Sequence, residues 1–124
     1  MANQSRLAVL TIVILFKTAA GNRGIEKHII MSLGLLTIYL YLPGCSSLKG
    51  KRKRLKPLIA RLHREFNISV AEVDHQDAWQ NTVLAIAMVS SNQKHTQRSL
   101  QGVVDWIESY WQDVQLVDER IELI

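Results

Sequence analysis

Two amphipathic helical segments with strand-like sequence between them constrain the fold of this 124-residue chain more than any other feature. Residues 48–66 place Leu55, Ile59 and Leu62 four and three residues apart, so these side chains share one face of a helix. Residues 93–111 show the same periodicity. Serine or asparagine precedes each segment, as is common at helix N-termini, so both segments are predicted to be helices.

Four strand-like segments accompany these helices. Residues 32–42 are rich in Leu, Ile and Tyr and end at a Pro-Gly turn signal. Residues 68–73 and 82–90 lie between the helices, and the second of these is apolar on both alternating sets, as in a central strand. Residues 114–123 combine apolar residues with several charged ones, which is typical of an edge strand.

The resulting order is β-α-β-β-α-β. With right-handed crossovers it predicts a ferredoxin-like α+β sandwich, a four-stranded antiparallel sheet with two helices on one face. The first and third strands are then central, and both of their side-chain sets are largely apolar although helices cover only one. We therefore expect the open sheet face to form a homo-oligomer or to dock onto something larger.

Residues 1–30 do not fit this pattern. Arg6 precedes an apolar run at 7–16, which has the outline of a signal peptide, but the run is shorter than the roughly 20 residues of a spanning helix. Three interpretations stay open: a signal or anchor, a mis-called start before a natural start at Met31, or a loose appendage. We expect one domain over residues 31–124, with an N-terminal extension before it.

The net charge of +4 is unevenly distributed. Residues 31–66 contain eight basic residues and one acidic residue, whereas residues 67–124 contain three basic and nine acidic residues. The positive charge is thus concentrated in the first helix. The single cysteine, Cys45, excludes an internal disulfide framework and fits a reducing, cytoplasmic compartment.

Three separated motifs allow a comparison of residues as well as of pattern. They are SLKGKR, FNISVAEVDHQDAWQ and AMVSSN, in that order. Through them residues 31–124 closely resemble the YlxP-like family, small bacterial proteins grouped as a domain of unknown function. The resemblance implies a ferredoxin-like fold and a bacterial cytoplasmic setting. Genes of the family often lie beside translation-initiation and ribosome-maturation genes, which implies a ribosome-linked role. It implies no catalytic residues.

The first helix contains the main candidate site. Its like charges at i,i+4, such as Lys49 and Lys53, disfavour the helix by about 0.2–0.5 kcal/mol per pair. Contacts to phosphates would account for such a cluster, and the N–H groups at the helix start would add to them. The predicted nucleic-acid-binding residues are Ser46, Ser47, Lys49, Lys51, Arg52, Lys53, Arg54 and Lys56. The alternatives are a solvated face, an acidic protein partner, or pairing with the chain's own acidic half.

Other candidate sites are weaker. The third strand has no aromatic residue, so base stacking on the sheet, as in RNA-recognition domains, is not expected. We expect Trp106, Tyr110 and Trp111 to pack in the core and at its rim. No motif pairs Cys45 with a base, and the histidines lack metal-ligand spacing. We therefore expect no catalytic residues, no metal and no cofactor.

The stretch ISVAEVDHQDAWQN is predicted to be the second strand and its hairpin connection to the third. Asp74 and Asp77 are expected to accept hydrogen bonds from nearby backbone N–H groups. Trp79 is expected to cover the end of the core. The alternative is a partner-binding role for His75, Gln76, Asp77 and Trp79.

Two functional hypotheses follow. The favoured one is a non-enzymatic accessory protein that associates with RNA or a ribosomal particle through the basic helix, without DNA specificity and without a membrane. The alternative is a homodimeric sensor-type module that pairs through the open sheet and binds a small ligand.

Overall fold

The computed structural model describes residues 31–75 and 78–124, and its six elements follow the predicted order. They are β1 (Ser32–Tyr41), α1 (Leu48–Glu65), β2 (Ser69–Asp74), β3 (Asn81–Ser90), α2 (Gln93–Tyr110) and β4 (Gln115–Leu123). Each boundary lies within one residue of the sequence-based expectation. The interpretations of residues 1–30 lie outside the described residues.

Both helices begin at the predicted caps. The Ser47 Oγ accepts a hydrogen bond from the Gly50 N–H at 2.9 Å, and the Asn92 Oδ1 accepts one from the His95 N–H at 3.0 Å. These bonds satisfy N–H groups that have no partner inside a helix. Pro57 lies on the exposed side of α1, and the helix is continuous across it.

The strands form one antiparallel sheet in the order β2-β3-β1-β4. β1 and β3 are central, as predicted, and pair without a bulge from Ser32–Ser90 to Tyr41–Asn81. With its two helices, this sheet is a ferredoxin-like α+β fold. Because side chains alternate between the faces of a strand, the β1–β3 register decides which residues face the helices.

The main core lies between the sheet and the helices. The central strands contribute alternate residues to it, represented by Leu36 in β1 and Ile86 in β3. α1 contributes Leu55, Leu58 and Leu62. Leu58 was missing from the expected inner face, although it lies three residues after Leu55 and four before Leu62. Its burial therefore follows from the helical period.

The opposite sheet face contains a second, smaller apolar cluster. Its buried members are Leu35, Val73, Val83 and Ala85. Ala71 and Ile124 pack against this cluster, while Tyr39 and Val89, on the same side of β1 and β3, stay 39% and 56% exposed. The predicted apolar character of the open face is thus confirmed, and its pairing with a second copy stays a prediction.

Gly34 in β1 permits close packing of α2 on the sheet. A Cβ at this position would lie 2.5 Å from the Thr96 Cγ2 and 2.7 Å from the Leu100 Cδ1. We expect Gly34→Ala to lower the free energy of unfolding by about 1–3 kcal/mol through overpacking, as measured by urea denaturation. Gly102→Ala is the matched control, because its nearest neighbour would be 3.8 Å away and alanine favours a helix. Equal losses in the two variants would contradict the close packing at Gly34.

Candidate nucleic-acid interface

Lys51 lies on the buried side of α1, apart from most of the helix's other cations. Its side chain is 2% exposed. The Nζ donates to the backbone carbonyls of His75 at 2.6 Å and Ala78 at 2.8 Å, and it lies 2.8 Å from the Glu72 Oε2. These three partners match the three donors of an ammonium group. Lys51 therefore fastens α1 to the hairpin between β2 and β3, and its charge is not part of the exposed basic surface.

Glu72, the carboxylate partner of Lys51, receives a second hydrogen bond from within the sheet. The buried Thr82 hydroxyl of β3 donates to the Glu72 Oε2 at 2.6 Å. A carboxylate with both a cation and a hydroxyl donor is well compensated for its partial burial. Lys51, Glu72 and Thr82 thus form one polar cluster that joins α1, β2 and β3.

The start of the hairpin has an unusual backbone conformation at His75. Its φ of 57° lies in the left-handed region, which few residues other than glycine adopt. The His75 N–H donates to the Asp74 Oδ1 at 2.8 Å, which confirms the expected role of this aspartate. The His75 carbonyl accepts from the Ala78 N–H at 3.1 Å in addition to the Lys51 ammonium. These bonds hold His75 in its uncommon conformation.

Two members of the predicted partner-binding set lie on this hairpin with exposed side chains. They are His75 and Trp79, and Trp79 is 53% exposed and belongs to neither core cluster. Trp79 therefore does not cover the end of the core as expected. Gln76, Asp77 and the hydrogen bond expected of Asp77 lie outside the described residues.

Arg54 is the second predicted phosphate ligand that has partners within the chain. Its Nε donates to the Asp113 Oδ2 at 2.9 Å, and its guanidinium also donates to the backbone carbonyls of Pro43, at 2.7 Å, and Asp113. Asp113 follows α2, so this contact ties α1 to the turn before β4. The chain's own acidic half thus pairs with two of the predicted cations, Lys51 and Arg54.

The other predicted cations form a surface that we call the outer face of α1. Its members are Lys49, Arg52, Lys53 and Lys56, all exposed. At 3.6 residues per turn, these four fall within about 100° of the helix circumference. Within residues 31–75 and 78–124, none of them has a carboxylate within 4.0 Å, since the ion pairs there use other cations.

The two serines at the start of α1 differ in their roles. Both are exposed, but the Ser47 hydroxyl is engaged as the helix cap. Cys45 is buried just before them, and its Sγ donates to the Ser47 carbonyl at 3.4 Å. Ser46 and Ser47 therefore lie at the start of α1, with one hydroxyl already used for local structure.

Sequence reasoning missed an aromatic cluster in the groove between the two helices. Trp106 of α2 contacts Phe66, Trp111 and Tyr110, and the Arg61 guanidinium lies over its ring. Trp106 and Trp111 pack at the rim of the main core, as expected, but Tyr110 is 72% exposed. The spacing of Trp106 and Tyr110 indicated that they are neighbours on α2, whereas their contact with α1 depends on how the helices pack.

Membrane and metal features were also sought in the described part of the chain. No helix there has the length and apolar character needed to cross a bilayer. Nor do three or more His, Cys, Asp or Glu side chains gather there as a potential set of metal ligands.

Comparison with known proteins identifies the family of the chain. The profile of the family described as "Protein of unknown function (DUF503)" matches residues 33–121. The chain belongs to this family. The uncharacterized protein YlxP of Bacillus subtilis (strain 168) is 44% identical over 64 residues, which cover 52% of this chain and 70% of that protein. The resemblance to YlxP-like proteins is therefore confirmed.

The chain also shows a weak similarity to a solved structure. It is a mutant of SnoaB, a cofactor-independent oxygenase from Streptomyces nogalater, which is 10% identical with a TM-score of 0.40. The match covers 77% of this chain and 92% of the other. At this level of similarity it has no bearing on the activity of the DUF503 chain.

The buried contacts of Lys51 predict a stability effect that its exposed neighbour lacks. We expect Lys51→Met to lower the free energy of unfolding by about 2–4 kcal/mol, because Glu72 and two carbonyls lose a buried donor. Lys53→Met is the matched control and should change it by about 0.5 kcal/mol or less. Urea denaturation of both variants makes the comparison. Equal stability of the two would show that the Lys51 contacts contribute little.

Proposed function

We propose that this DUF503 protein is a non-enzymatic, cytoplasmic accessory protein that binds RNA, free or within a ribosomal particle, through the outer face of α1. The observation that carries the proposal is the set of four exposed cations without a carboxylate partner in the described part of the chain. Lys51 and Arg54 are excluded from this set, because internal contacts already engage them.

The arrangement of these cations disfavours the interpretation as an ordinary solvated face. Lys49 and Lys53, and likewise Arg52 and Lys56, are like charges at i,i+4, which destabilise a helix. A solvated surface normally mixes charges of both signs. The chain contains acidic residues that could balance these charges, but Asp113 forms its ion pair with Arg54 and Glu72 forms its ion pair with Lys51. The uncompensated outer face is therefore best explained by an anionic partner.

RNA fits this surface through its phosphates. From Lys49 to Lys56 the helix rises about 10 Å, so the four cations can contact successive phosphates of one backbone. Neutralised phosphates release counterions, which strengthens binding at low salt. Such contacts position a protein on nucleic acid without reading bases, so no DNA sequence specificity is expected.

Charge reversal on the outer face tests the proposal. We expect Arg52→Glu/Lys56→Glu to weaken binding to RNA at least tenfold at low salt and to reduce the salt-dependence slope by about 1–2, because two phosphate contacts are lost. Fluorescence anisotropy with labelled RNA at several salt concentrations measures both quantities.

The control is Lys94→Glu/Arg98→Glu, which makes the same charge change at the same i,i+4 spacing on exposed positions of α2. It should retain most of the binding. Equal losses of RNA binding in the two double variants would show that binding depends only on the net charge of the protein, and would overturn the proposed site. Absence of RNA binding by the wild-type protein would overturn the proposed function.

We also propose that the protein self-associates through the open sheet face. Tyr39 and Val89 stay exposed there beside the second apolar cluster, although large apolar side chains are normally removed from water. A second copy offers the same surface for a two-fold contact. Self-association through the open face is also part of the alternative function, a homodimeric sensor-type module that binds a small ligand. A ligand-induced rise in melting temperature without RNA would favour that alternative.

A charge on the open face tests self-association. We expect Val89→Glu to shift a dimer to the monomer in sedimentation-velocity experiments, because an unpaired carboxylate would have to be buried in the interface. Tyr110→Glu is the matched control, since Tyr110 is also a large exposed residue, at 72%, but lies on α2 on the other side of the sheet. A wild-type protein that sediments as a monomer at high concentration would contradict the proposed pairing.

A further inference from the structure

His63 lies on the same stripe of α1 as two cations of the outer face. At the helical period, the side chains of Arg52, Lys56 and His63 project within about 40° of one another. All three side chains are exposed. His63 follows Lys56 by seven residues and so lies about 10 Å beyond it along the helix axis. The imidazole therefore continues the line of cations toward the C-terminal end of α1.

The acidic residue of α1 lies away from this stripe. Glu65 is the one acid among residues 48–65, and it projects about 160° from His63. Its carboxylate lies 3.4 Å from the guanidinium of Arg61, the residue that also contacts Trp106 of α2. Glu65 is therefore on the flank of α1 toward α2, and no carboxylate of α1 itself faces the imidazole.

The second helix packs against the opposite flank of α1. There the Arg61 guanidinium lies over Trp106, and Arg54 pairs with Asp113. Both arginines project about 160–180° from His63 at the helical period. The charged groups at the contact between the helices thus lie on the far side of α1 from the imidazole.

The strand that packs beside α1 is β2, and its two acids lie far from His63. Glu72 pairs with Lys51, which precedes His63 by twelve residues and so by about 18 Å along the helix axis. The Asp74 carboxylate accepts the His75 backbone N–H at the hairpin. In the described part of the chain His63 has no ion pair, so its charge is available to a partner.

Histidine differs from the other residues of this line because its charge depends on pH. Imidazole is the side chain that ordinarily changes charge between pH 5 and pH 8, whereas lysine and arginine stay charged throughout this range. Protonation of His63 would lengthen the line of positive charge by about 10 Å without any change in the position of α1.

We infer that His63 is a fifth phosphate contact of the outer face, one that forms when its imidazole is protonated. This contact rests on the proposed function and adds its dependence on pH. An imidazolium has two N–H donors and a positive charge, and it lies where an RNA backbone that follows Arg52 and Lys56 would continue. A neutral imidazole has no charge with which to release a counterion from the RNA. RNA binding is therefore stronger at pH 6 than at pH 8.

Binding of labelled oligouridine at the two pH values tests this contact, because uracil gains no proton in this range and a change comes from the protein. We expect the wild type to bind about two- to fivefold more tightly at pH 6, as for one exposed charge contact. Its salt-dependence slope should be steeper there by about 0.7. His63→Gln should bind at both pH values as the wild type does at pH 8. His63→Arg should bind at both as the wild type does at pH 6.

The matched control is His95→Gln, which removes an exposed histidine from α2. It should keep the pH dependence of the wild type. The same pH dependence in His63→Gln as in the wild type, or an equal loss in His95→Gln, overturns the role of His63. Wild-type binding that does not change between pH 6 and pH 8 overturns it as well.

The outcomes separate this contact from the function on which it rests. Binding that is lost in Arg52→Glu/Lys56→Glu but is insensitive to pH overturns the His63 contact and leaves the phosphate site standing. No oligouridine binding by the wild type at either pH overturns the proposed function itself. His63→Arg covers the case in which His63→Gln does not fold, because its expected effect is a gain of binding at pH 8. Unchanged binding by His63→Arg at pH 8 would overturn the contact.

Discussion

The unbroken antiparallel pairing of β1 with β3 is the constraint on which both proposed surfaces depend. It runs from Ser32–Ser90 to Tyr41–Asn81 and puts residues such as Leu36 and Ile86 under the helices. The alternate residues, Leu35 among them, then form the open face. Because strands alternate with a period of two, a one-residue slip would exchange the two faces and expose the main core. The same register brings Gly34 under α2, where a larger residue would collide with Thr96.

The buried contacts of Lys51 divide the cations of α1 into two groups. Burial of an ammonium group is costly unless acceptors surround it, and here Glu72 and the carbonyls of His75 and Ala78 do so. The contact also fixes the backbone of the hairpin at the point where His75 adopts a positive φ. The basic residues of α1 therefore do not form one continuous surface. Lys51 stabilises the fold on the buried side of the helix, whereas the cations of the outer face are available to a partner.

The proposed RNA and self-association surfaces lie on opposite sides of the sheet. The outer face of α1 belongs to the helix layer, whereas Tyr39 and Val89 belong to the open face. A dimer formed through the open faces would direct both helix layers outward. The two proposals are thus geometrically compatible, and one protein could present two RNA-binding surfaces.

The sequence by itself determined the order and limits of the elements, because periodicity and capping are local properties. Ser47 and Asn92 cap the helices as predicted, and every boundary lies within one residue. Even the burial of Lys51 had a local signal, since it precedes Leu55 by one helical turn. Its partners, however, lie 21 to 27 residues away in the chain, and no spacing rule identifies them.

Only the tertiary structure decided which candidate residues come together. It paired Arg54 with Asp113, left Trp79 exposed, and assembled Arg61, Phe66 and Trp106 from two helices into one cluster. The physical reason is that the main core sets the position of both helices against the sheet. Contacts between distant side chains follow from that packing, whereas the local pattern of each segment does not contain it.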